Sequence, residues 1–489
     1  MLPFSTLLSI DKNSKTPVYI QIANGMADII RQGIISSGLK LPGTRIMAEQ
    51  LGLHRKTVVA AYEELIAQGW IETRNSSGTF VSTKLPEISP VSFQKQKLKA
   101  KGDEPGFPFQ QNPALSLSLY KGSNGLSFND GFPDVRIAPW EALSRAYRTC
   151  LRKGFKKNLL FYGETTGEPS LRSALTEYLR ESRGLPIGED QVMITRGTMM
   201  AIHLAANCIL KPGDVVVVGK LSYNSCNLIL KQAGAQLETV PVDEFGIDTD
   251  AVEQLCKKLP VRMMYVTPHH QYPTTVVMPA DRRLHLLNLA KEYGFCIIED
   301  DYDYDFHYNS NPILPLAAAD DHNNVVYVGS LSKVFSPALR IGYVVAPSAV
   351  IKAMASFRRI IDRQGDNLLE AAIALLLREG DMQRHLKKAQ KVYHARRDLF
   401  CDLLESELDS IISFEKPSGG LAVWTTFDER IPVHKLAAKC QKLGLEISDG
   451  SHFQPHANAN RLGFGSTNET EILQGMEILK KSIKTFINH

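Results

Sequence analysis

The sequence predicts an α/β protein in which an N-terminal winged helix-turn-helix is joined by a linker to a large domain with a mostly parallel sheet and a small C-terminal α/β domain. Three observations lead to this prediction. The chain has 489 residues, more than one compact domain normally holds. Its first 83 residues follow a pattern of helices and a hairpin, and short β-branched runs alternate with helical stretches after residue 126.

The composition indicates a globular protein of the cytoplasm. The apolar fraction is 44% and the charged fraction 22%, as in ordinary folded domains. We expect no membrane association, because no run of 18 apolar residues occurs and the N-terminal charges follow the short apolar stretch, the reverse of a secretory signal. The 7 cysteines are odd in number and lack C-x-x-C spacing, so we expect free buried thiols and no metal site.

Positive charge is concentrated near the N-terminus. Residues 1–101 hold 13 Lys and Arg against 7 Asp and Glu, whereas the remaining residues hold 43 against 45. This asymmetry is a weak indication of a polyanionic partner, because many basic domains bind none.

The first predicted domain covers residues 15–83. Apolar residues recur at three- and four-residue steps from Pro17 to Ser37, which predicts an amphipathic helix ending at Gly38. The segments LPGTRIMAEQLGL and HRKTVVAAYEELIAQGW then predict a short helix, a turn at Gly52 and a longer helix. IETRNSSGTFVS predicts two short strands around a glycine-containing tip, which completes a winged helix.

Polar donors at the start of the longer helix predict contact with an operator in double-stranded DNA. A winged helix places this helix in the major groove, where its first residues reach base edges and flanking groups hold phosphates. A segment such as HRKT is, by itself, more often a solvated helix start than a DNA contact. The spacing of the surrounding helices and the hairpin favour the DNA contact instead. The candidates are His54, Arg55, Lys56 and Thr57 at the helix start, Arg45 in the preceding helix, and Arg74 and Gly78 in the hairpin.

Three further segments follow. Residues 84–125 are rich in Pro, Lys, Gln and Ser without apolar periodicity, which predicts a mobile linker. In residues 126–378 the nearly continuous apolar runs QVMIT, DVVVVG, VRMMYVT, FCIIED and NVVYVG predict strands of a parallel sheet buried on both faces. Residues 379–489 begin with a charged helix and predict a smaller α/β domain.

Reactive and cationic groups follow the strand NVVYVG. Lys333 comes just after it, with Ser330 and Ser332 beside the lysine and Arg340 seven residues later. Parallel sheets bind ligands at the carboxyl ends of their strands. Most lysines lie on protein surfaces, so it is this position that makes Lys333 a candidate for binding an aldehyde.

The strand FCIIED ends in an acidic run, EDDYDYD. Asp300 and Tyr302 point to the same side of an extended chain, where they could bind a pyridine nitrogen and a phenolic oxygen. The run could instead be a solvated loop or a divalent cation site. The apolar residues directly before it favour a buried strand end.

Three more strand ends carry suitable groups. QVMIT leads through Gly197 into a helix whose first residues, Thr198 and Met199, would direct their amides at a phosphate, although a lone glycine turn is weak evidence. Tyr223 follows VVVVG and could stack on an aromatic ring, although a loop tyrosine is more often simply packed. Gln271 follows VRMMYV and could bond a ring oxygen.

Together these groups meet the needs of pyridoxal 5′-phosphate. That cofactor requires a lysine for its aldehyde, a carboxylate for its pyridine nitrogen, a hydrogen bond to its phenolic oxygen, and a cationic, amide-rich phosphate site. The sequence therefore predicts pyridoxal phosphate as cofactor.

At these residues the chain resembles known families. LPGTRIMAEQLGLHRKTVVAAYEELIAQGW and GTFV resemble the DNA-binding domain of GntR-superfamily regulators. PHHQYP, EDDYDYD, GSLSK and PALRIGY resemble fold-type I aminotransferases, and the combination resembles MocR-type regulators over nearly the whole chain. The resemblance implies that Lys333 is the Schiff-base lysine, Asp300 the pyridinium partner and Tyr302 the phenolic-oxygen donor. It also implies that Tyr223 stacks on the cofactor ring. The phosphate region would be formed by Ser330, Ser332 and Arg340.

The resemblance also implies roles for two residues outside these motifs. Arg461, in RLGFGS, matches the arginine that holds a substrate α-carboxylate through its planar fork. Tyr162 resembles a tyrosine donated across a homodimer to the partner's phosphate. The chain departs from the family pattern at Ser76 and Thr275, where glycines are usual, and in GETTGEPSLR at 163–172.

Two functions follow from the pairing of domains. In the first, an amino acid, an amine or the cofactor itself changes the domain arrangement and thereby DNA binding. In the second, the chain is a working aminotransferase that carries a DNA-binding domain. The intact helix-turn-helix favours the first function. A third hypothesis is that the large domain is a dimerisation scaffold that has lost its cofactor. A homodimer is expected in each case.

Overall fold

The computed structural model describes residues 3–85, 105, 107–109, 125–308, 313–453 and 457–487. Almost all of the predicted linker, residues 84–125, lies outside the described residues, and its boundaries stay predictions. The chain forms two compact units, Met1–Gln111 and Asn112–His489. Within the described ranges, no helix is both long and apolar enough to cross a membrane.

The first unit is a winged helix-turn-helix, as predicted. The apolar faces of its helices meet in one core, in which Ile22, Met47, Val58 and Leu65 are fully buried. A left-handed residue, Gly52, ends the third helix and lets the chain turn into the fourth. The elements are α1 (Phe4–Leu7), α2 (Val18–Arg31), α3 (Thr44–Leu51), α4 (Arg55–Ala67), β1 (Ile71–Arg74) and β2 (Gly78–Val81).

The helix predicted from Pro17 to Ser37 is shorter than expected, because α2 ends at Arg31. Gly33 has a φ of 70°, which a right-handed helix does not allow. The chain then turns back, and Ile35 is buried in the core. The apolar spacing therefore continues past the helix because the following turn also contributes to the core.

The described part of the second unit alternates helices with strands. Its helices are α5 (Trp140–Lys153), α6 (Pro169–Arg183), α7 (Thr198–Ile209), α8 (Asn224–Gln232), α9 (Thr249–Cys256), α10 (Ala280–Tyr293), α11 (Ser348–Arg358), α12 (Asn367–Arg378), α13 (Asp381–Leu408), α14 (Val433–Lys442) and α15 (Glu469–Ile487). Its strands are β3 (Leu126–Phe128), β4 (Val192–Thr195), β5 (Val215–Gly219), β6 (Gln236–Val240), β7 (Val242–Asp243), β8 (Gly246–Ile247), β9 (Val261–Val266), β10 (Cys296–Asp301), β11 (Val325–Ser330), β12 (Gly342–Val345), β13 (Ile412–Phe414), β14 (Ala422–Phe427), β15 (Leu445–Ile447) and β16 (Ala459–Gly463).

A seven-stranded sheet forms the centre of this unit, in the order β4-β12-β11-β10-β9-β5-β6. Only β12 is antiparallel to its neighbours, so the predicted mostly parallel sheet is confirmed. Successive valines of β5 face opposite cores: Val216 and Val218 pack with α7, whereas Val215 and Val217 pack under α9 and α10. Burial on both faces explains the continuous apolar runs.

The C-terminal part has its own three-stranded antiparallel sheet, β13-β14-β16. Strand β15 pairs with β3, which lies more than 300 residues earlier in the chain. Phe128 of β3 packs edge-on against Phe400 of α13, with ring centroids 4.9 Å apart. The residues just after β3 are thereby held between the two sheets, next to the candidate site.

Candidate functional site

Lys333 lies just beyond the carboxyl end of β11, as predicted. Its Nζ donates a hydrogen bond to the carbonyl oxygen of Gly131 at 2.5 Å and lies 5.1 Å from the centroid of the Phe132 ring. Desolvation lowers the pKa of Lys333 to about 8, even though the nearby Asp130 carboxylate raises it. A lysine amine must be neutral to attack an aldehyde, so this surrounding suits Schiff-base formation.

Asp300 is the last but one residue of β10 and is buried. Its Oδ2 accepts a hydrogen bond from the Tyr265 hydroxyl at 2.9 Å. Its Oδ1 is buried and has no hydrogen-bond partner among the described residues. Burial raises the pKa of this carboxyl group to about 7. A protonated pyridine nitrogen would supply both the missing donor and a compensating charge, so the site fits pyridoxal phosphate here.

The acidic run around Asp300 lies inside the protein, which contradicts the solvated-loop alternative. Glu299 accepts hydrogen bonds from the amides of Leu316 and Ala317, and Asp301 accepts one from the Tyr327 hydroxyl. Asp305 forms a buried ion pair with Arg183 at 2.8 Å. Among the described residues, one cluster has metal-ligand spacing, Asp250 with Glu253 and His285, and it does not include this run.

The predicted phosphate region is formed by two loops that meet. Gly197 has a φ of 82° and precedes α7, whose first residues are Thr198 and Met199. The guanidinium of Arg340 lies against Gly197, because a Cβ added there would be 2.6 Å from Nη2. The same Nη2 donates to the carbonyl oxygen of Arg196 at 2.9 Å. Amides at a helix start beside an arginine form an anion-binding site.

The two predicted serines lie in the same loop as Lys333. Ser330 Oγ accepts a hydrogen bond from the amide of Ser332 at 3.0 Å. Ser332 Oγ is buried without a hydrogen-bond partner in the described part of the chain. A free buried hydroxyl next to the cationic loop fits a phosphate oxygen, and this is the second observation that favours the cofactor.

Two residues predicted to contact the cofactor ring have other contacts in the structure. The Tyr302 hydroxyl donates to the carbonyl oxygen of His270 at 3.0 Å and lies 3.4 Å from Arg461 Nη2. Gln271 Nε2 donates to the carbonyl oxygens of Leu221 and Tyr272, while its buried Oε1 has no described partner. Their predicted roles at the phenolic and ring oxygens stay predictions.

Tyr223 directly precedes α8 at the end of the loop after β5. Its ring contacts Tyr272 edge-on, with centroids 5.1 Å apart, and burial raises the pKa of its hydroxyl. The Asp300 carboxylate is near enough to add to that rise. The structure thus places Tyr223 close to the predicted nitrogen-binding group.

Tyr162 does not join the other candidates within one chain. Its side chain is 78% exposed, and the Arg363 guanidinium lies 4.1 Å from its ring centroid. Exposed apolar side chains surround it in the sequence, including Phe155 and Phe161. The predicted contribution to a partner's phosphate site stays a prediction.

Arg461 lies on β16 and is 2% exposed. Its Nη1 donates to the carbonyl oxygen of Pro273 at 3.1 Å. Its Nε lies 3.1 Å from Asp130 Oδ1. Sequence reasoning missed Asp130, although NDGFPD after an apolar strand signals a tight turn. The structure brings this turn to both Lys333 and Arg461.

A buried histidine–aspartate pair supports the loop after β9 and was also missed. His270 Nδ1 lies 2.7 Å from Asp303 Oδ1, and both side chains are 2% exposed. The carbonyl oxygen of His270 in turn accepts the Tyr302 hydrogen bond. The PHHQYP and EDDYDYD motifs therefore pack on each other, which explains why both have unusual polar residues in a buried place.

Thr275 replaces the usual glycine in a strained conformation, with a φ of 66° and a side chain that is 5% exposed. Because a left-handed β-branched residue costs about 1–2 kcal/mol, Thr275→Gly relieves strain that offsets the lost packing. We expect the free energy of unfolding to change by less than about 1 kcal/mol in chemical denaturation. The matched Thr425→Gly, in the buried strand β14, should lose at least about 2 kcal/mol. Equal losses would show that Thr275 is unstrained.

In the first unit, α4 begins at Arg55 and presents the predicted cations to solvent. Arg55 and Lys56 are exposed, Thr57 is half-buried, and Arg45 of α3 is exposed. His54 caps the helix, because its Nδ1 accepts a hydrogen bond from the amide of Lys56 at 3.2 Å. The geometry therefore gives His54 an additional role in fixing the helix start.

The hairpin carries a cationic surface around Phe80. The Arg74 guanidinium lies 4.7 Å from the Phe80 ring centroid and forms an ion pair with Glu72 at 2.7 Å. Lys40, which the sequence analysis did not select, lies 5.8 Å from the same ring. A Cβ added at Gly78 would be 3.0 Å from Lys40 Cε, so the glycine makes room for this lysine. Ser76 at the tip has a φ of 62°, which explains why glycine is usual there.

Two family matches cover the described units. Residues 126–477 match the aminotransferase class I and II family, and residues 18–81 match the gntR family of bacterial regulatory proteins.

Whole-chain relatives share both parts. The chain is 28% identical to the probable rhizopine catabolism regulatory protein MocR of Rhizobium meliloti, over 97% of this chain and 96% of that protein. It is 27% identical to the HTH-type pyridoxine biosynthesis transcriptional regulator PdxR of Corynebacterium glutamicum, over 94% of this chain and 95% of that protein.

Solved structures match the second unit. Kynurenine aminotransferase of Pyrococcus horikoshii, in complex with PMP, aligns with a TM-score of 0.71 and 29% identity over 77% of this chain and 97% of its own. LysN, the α-aminoadipate aminotransferase of Thermus thermophilus, aligns with a TM-score of 0.69 and 26% identity over 74% and 93%. These neighbours and the family imply pyridoxal phosphate as cofactor, as the sequence predicts. The chain belongs to the class I and II aminotransferase family and joins that domain to a GntR-type helix-turn-helix, the arrangement of MocR-type regulators.

Proposed function

We propose that this protein is a DNA-binding transcriptional regulator whose aminotransferase-like domain binds pyridoxal phosphate and responds to an amino acid, an amine or the cofactor itself. The observation that carries the proposal is the presence, in one chain, of a partly desolvated Lys333 with an unsatisfied Asp300 and of a solvent-exposed cationic helix start at Arg55. DNA binding alone would not need the Lys333 and Asp300 pocket, and cofactor binding alone would not need the cationic helix start at Arg55.

In this proposal, different residues of the chain bind different parts of the cofactor. Lys333 Nζ would bind the aldehyde carbon, and Asp300 Oδ1 would accept a hydrogen bond from the protonated pyridine nitrogen. The amides of Thr198 and Met199, with Ser330, Ser332 and Arg340, hold the phosphate. Tyr223 packs on the ring. When bound, the cofactor supplies an electron sink next to the amine carbon of a ligand.

A ligand regulates DNA binding only if it binds two arrangements of the protein with different affinity. Arg461 is the residue we propose for contact with the α-carboxylate of an amino-acid ligand. It is buried, and two neutral acceptors, the carbonyl oxygen of Pro273 and the Tyr302 hydroxyl, hold its fork in place. A ligand on this side of the pocket would therefore lie near the loop after β9, which carries Pro273, and near strand β16 of the C-terminal domain.

We also propose a homodimer in the cytoplasm. Exposed apolar side chains cluster in the sequence around Tyr162, with Phe155 72% and Phe161 53% exposed. Exposed patches of this kind favour a protein partner, and a second copy would cover them. The cysteines are free, as is usual in a reducing compartment.

Transamination is the alternative function, and one observation favours it. With a pKa of about 8, Lys333 could accept and return a proton at the amine carbon of a ligand near neutral pH. Sustained keto-acid production over many turnovers would support this alternative. A spectral response without turnover would support sensing alone.

The DNA half of the proposal is tested with a duplex selected from random-sequence DNA by the full-length protein. Arg55→Ala is expected to weaken specific binding by at least about tenfold, because it removes a cationic donor at the helix start. Arg31→Ala, at the exposed end of α2, is the matched control. Affinity should also fall steeply with salt. Unchanged specific affinity in Arg55→Ala would remove this residue from the interface.

A further inference from the structure

A carboxylate of the chain itself lies on the arginine that would hold a ligand carboxylate. Asp130 Oδ1 is 3.1 Å from Arg461 Nε, and the two side chains are 38% and 2% exposed. The second oxygen, Asp130 Oδ2, accepts a hydrogen bond from the Tyr272 hydroxyl at 3.2 Å. The guanidinium therefore already has an anionic partner before any ligand arrives.

The position of Asp130 is fixed by the turn that carries it. Gly131 has a φ of 71°, and a Cβ added there would be 3.2 Å from Ala422 Cβ. The Asn129 side chain donates to Ser466 Oγ at 2.6 Å and accepts from the amide of Phe132 at 2.7 Å. The turn thus connects the two α/β domains, and Asp130 reaches Arg461 as a consequence of the fold.

The same turn lies against the reactive lysine. The carbonyl oxygens of Asp130 and Gly131 are 3.5 Å and 2.5 Å from Lys333 Nζ. An amine ligand bound at Lys333 therefore meets the Asp130 segment first. Because its side chain is 38% exposed, Asp130 is accessible to such a ligand, whereas the Arg461 side chain is only 2% exposed.

Charge then decides which ligand group is favoured next to this pair. A ligand carboxylate would place a second negative charge beside one guanidinium, or would have to displace Asp130 from it. A ligand ammonium would instead pair with Asp130, and in a partly desolvated pocket such a charge-assisted hydrogen bond is strong. The Asp303 carboxylate nearby is already paired with His270, so it does not compensate for a ligand carboxylate.

We propose that Asp130 determines the ligand specificity of this pocket and selects linear diamines over α-amino acids with neutral side chains. This inference rests on the proposed function, because it assumes an amine ligand whose nitrogen replaces Lys333 Nζ on the cofactor's aldehyde carbon, which frees the lysine amine. It assigns to Asp130 the contact with the second amino group. The Tyr272 hydroxyl holds the carboxylate in place for that contact.

Three ligands with the same five-carbon amine test the inference. They are 1-aminopentane, norleucine, which adds a carboxylate at the carbon bearing the amine, and 1,5-diaminopentane, which adds an ammonium group at the other end. Each is titrated into the full-length, cofactor-loaded protein, and affinity is read from the change in cofactor absorption. In the unaltered protein, we expect diaminopentane to bind at least about tenfold more tightly than norleucine. Asp130→Asn should weaken diaminopentane about tenfold and strengthen norleucine about tenfold, with less than about a twofold change for aminopentane.

Asp250→Asn, which removes an exposed carboxylate of α9, is the matched control and should keep the original ranking. Asp130→Glu keeps the charge and should keep the preference for the diamine. The inference is overturned if the unaltered protein prefers norleucine, a result that needs no variant, or if Asp130→Asn leaves the ranking unchanged. A failure of all three ligands to change the spectrum would overturn the proposed amine response together with this inference. A normal response with an unchanged ranking would overturn the inference alone.

Discussion

Lys333→Ala is expected to abolish covalent attachment of pyridoxal phosphate. The amine of Lys333 is partly desolvated, and its pKa of about 8 leaves an appreciable neutral fraction near pH 7.5. Purified protein with added cofactor should therefore show the absorption band of a lysine-bound cofactor, and the variant should lack it. Borohydride reduction followed by peptide mass spectrometry should locate the cofactor on the peptide that contains Lys333.

Lys352→Ala is the control, because Lys352 is an exposed lysine of α11. It should keep the band at full intensity. A persistent band in Lys333→Ala, or a reduced cofactor on another lysine, would contradict the assignment of this residue.

Asp300→Asn is expected to have two opposite effects. It should weaken cofactor affinity by about 10- to 100-fold, because the bond between a carboxylate and a protonated pyridine nitrogen is lost. It should also stabilise the cofactor-free protein at neutral pH, because a buried carboxylate with an unpaired oxygen is removed.

The stabilising effect should depend on pH with a definite sign. Burial raises the pKa of Asp300 from 3.8 to about 7 in the folded protein. The folded state then binds the proton more tightly than the unfolded state, so this group destabilises the protein increasingly between pH 4 and pH 7. The melting temperature of Asp300→Asn should exceed that of the unaltered protein at pH 7.5 and approach it at pH 4.5. Equal cofactor affinities, or a gap that widens toward low pH, would contradict this role for Asp300.

The sequence predicted the strand ends well because continuous apolar runs show where a buried parallel strand stops. Lys333 and Asp300 follow such runs, and both lie where the prediction placed them. Gly197 was found for the same reason. Strand β12 was missed because GYVV is short and directly follows the turn Pro337–Leu339, and β6 was missed because QLETV is an edge strand whose polar residues interrupt the apolar run.

Contacts between distant segments were beyond the sequence. The pairing of β3 with β15 brings residue 126 to residue 445, and nothing in LSF signals that partner. Asp130 comes just after β3, so its contact with Arg461 depends on that pairing and was not predicted. The Tyr302 hydroxyl donates to the carbonyl oxygen of His270, a contact that the sequence did not signal, and its predicted role at the phenolic oxygen stays a prediction.

Occupancy of the Lys333 pocket is expected to change DNA binding through the helix that begins at Arg55. The most direct measurement is the dissociation constant of the full-length protein for its selected duplex, at fixed salt, without cofactor, with pyridoxal phosphate, and with the cofactor plus 1,5-diaminopentane. We predict a change of at least about fivefold between two of these states, with no such change in Lys333→Ala. A dissociation constant that stays the same in all three states, while absorption shows the pocket to be saturated, would show that pocket occupancy and DNA binding are not coupled.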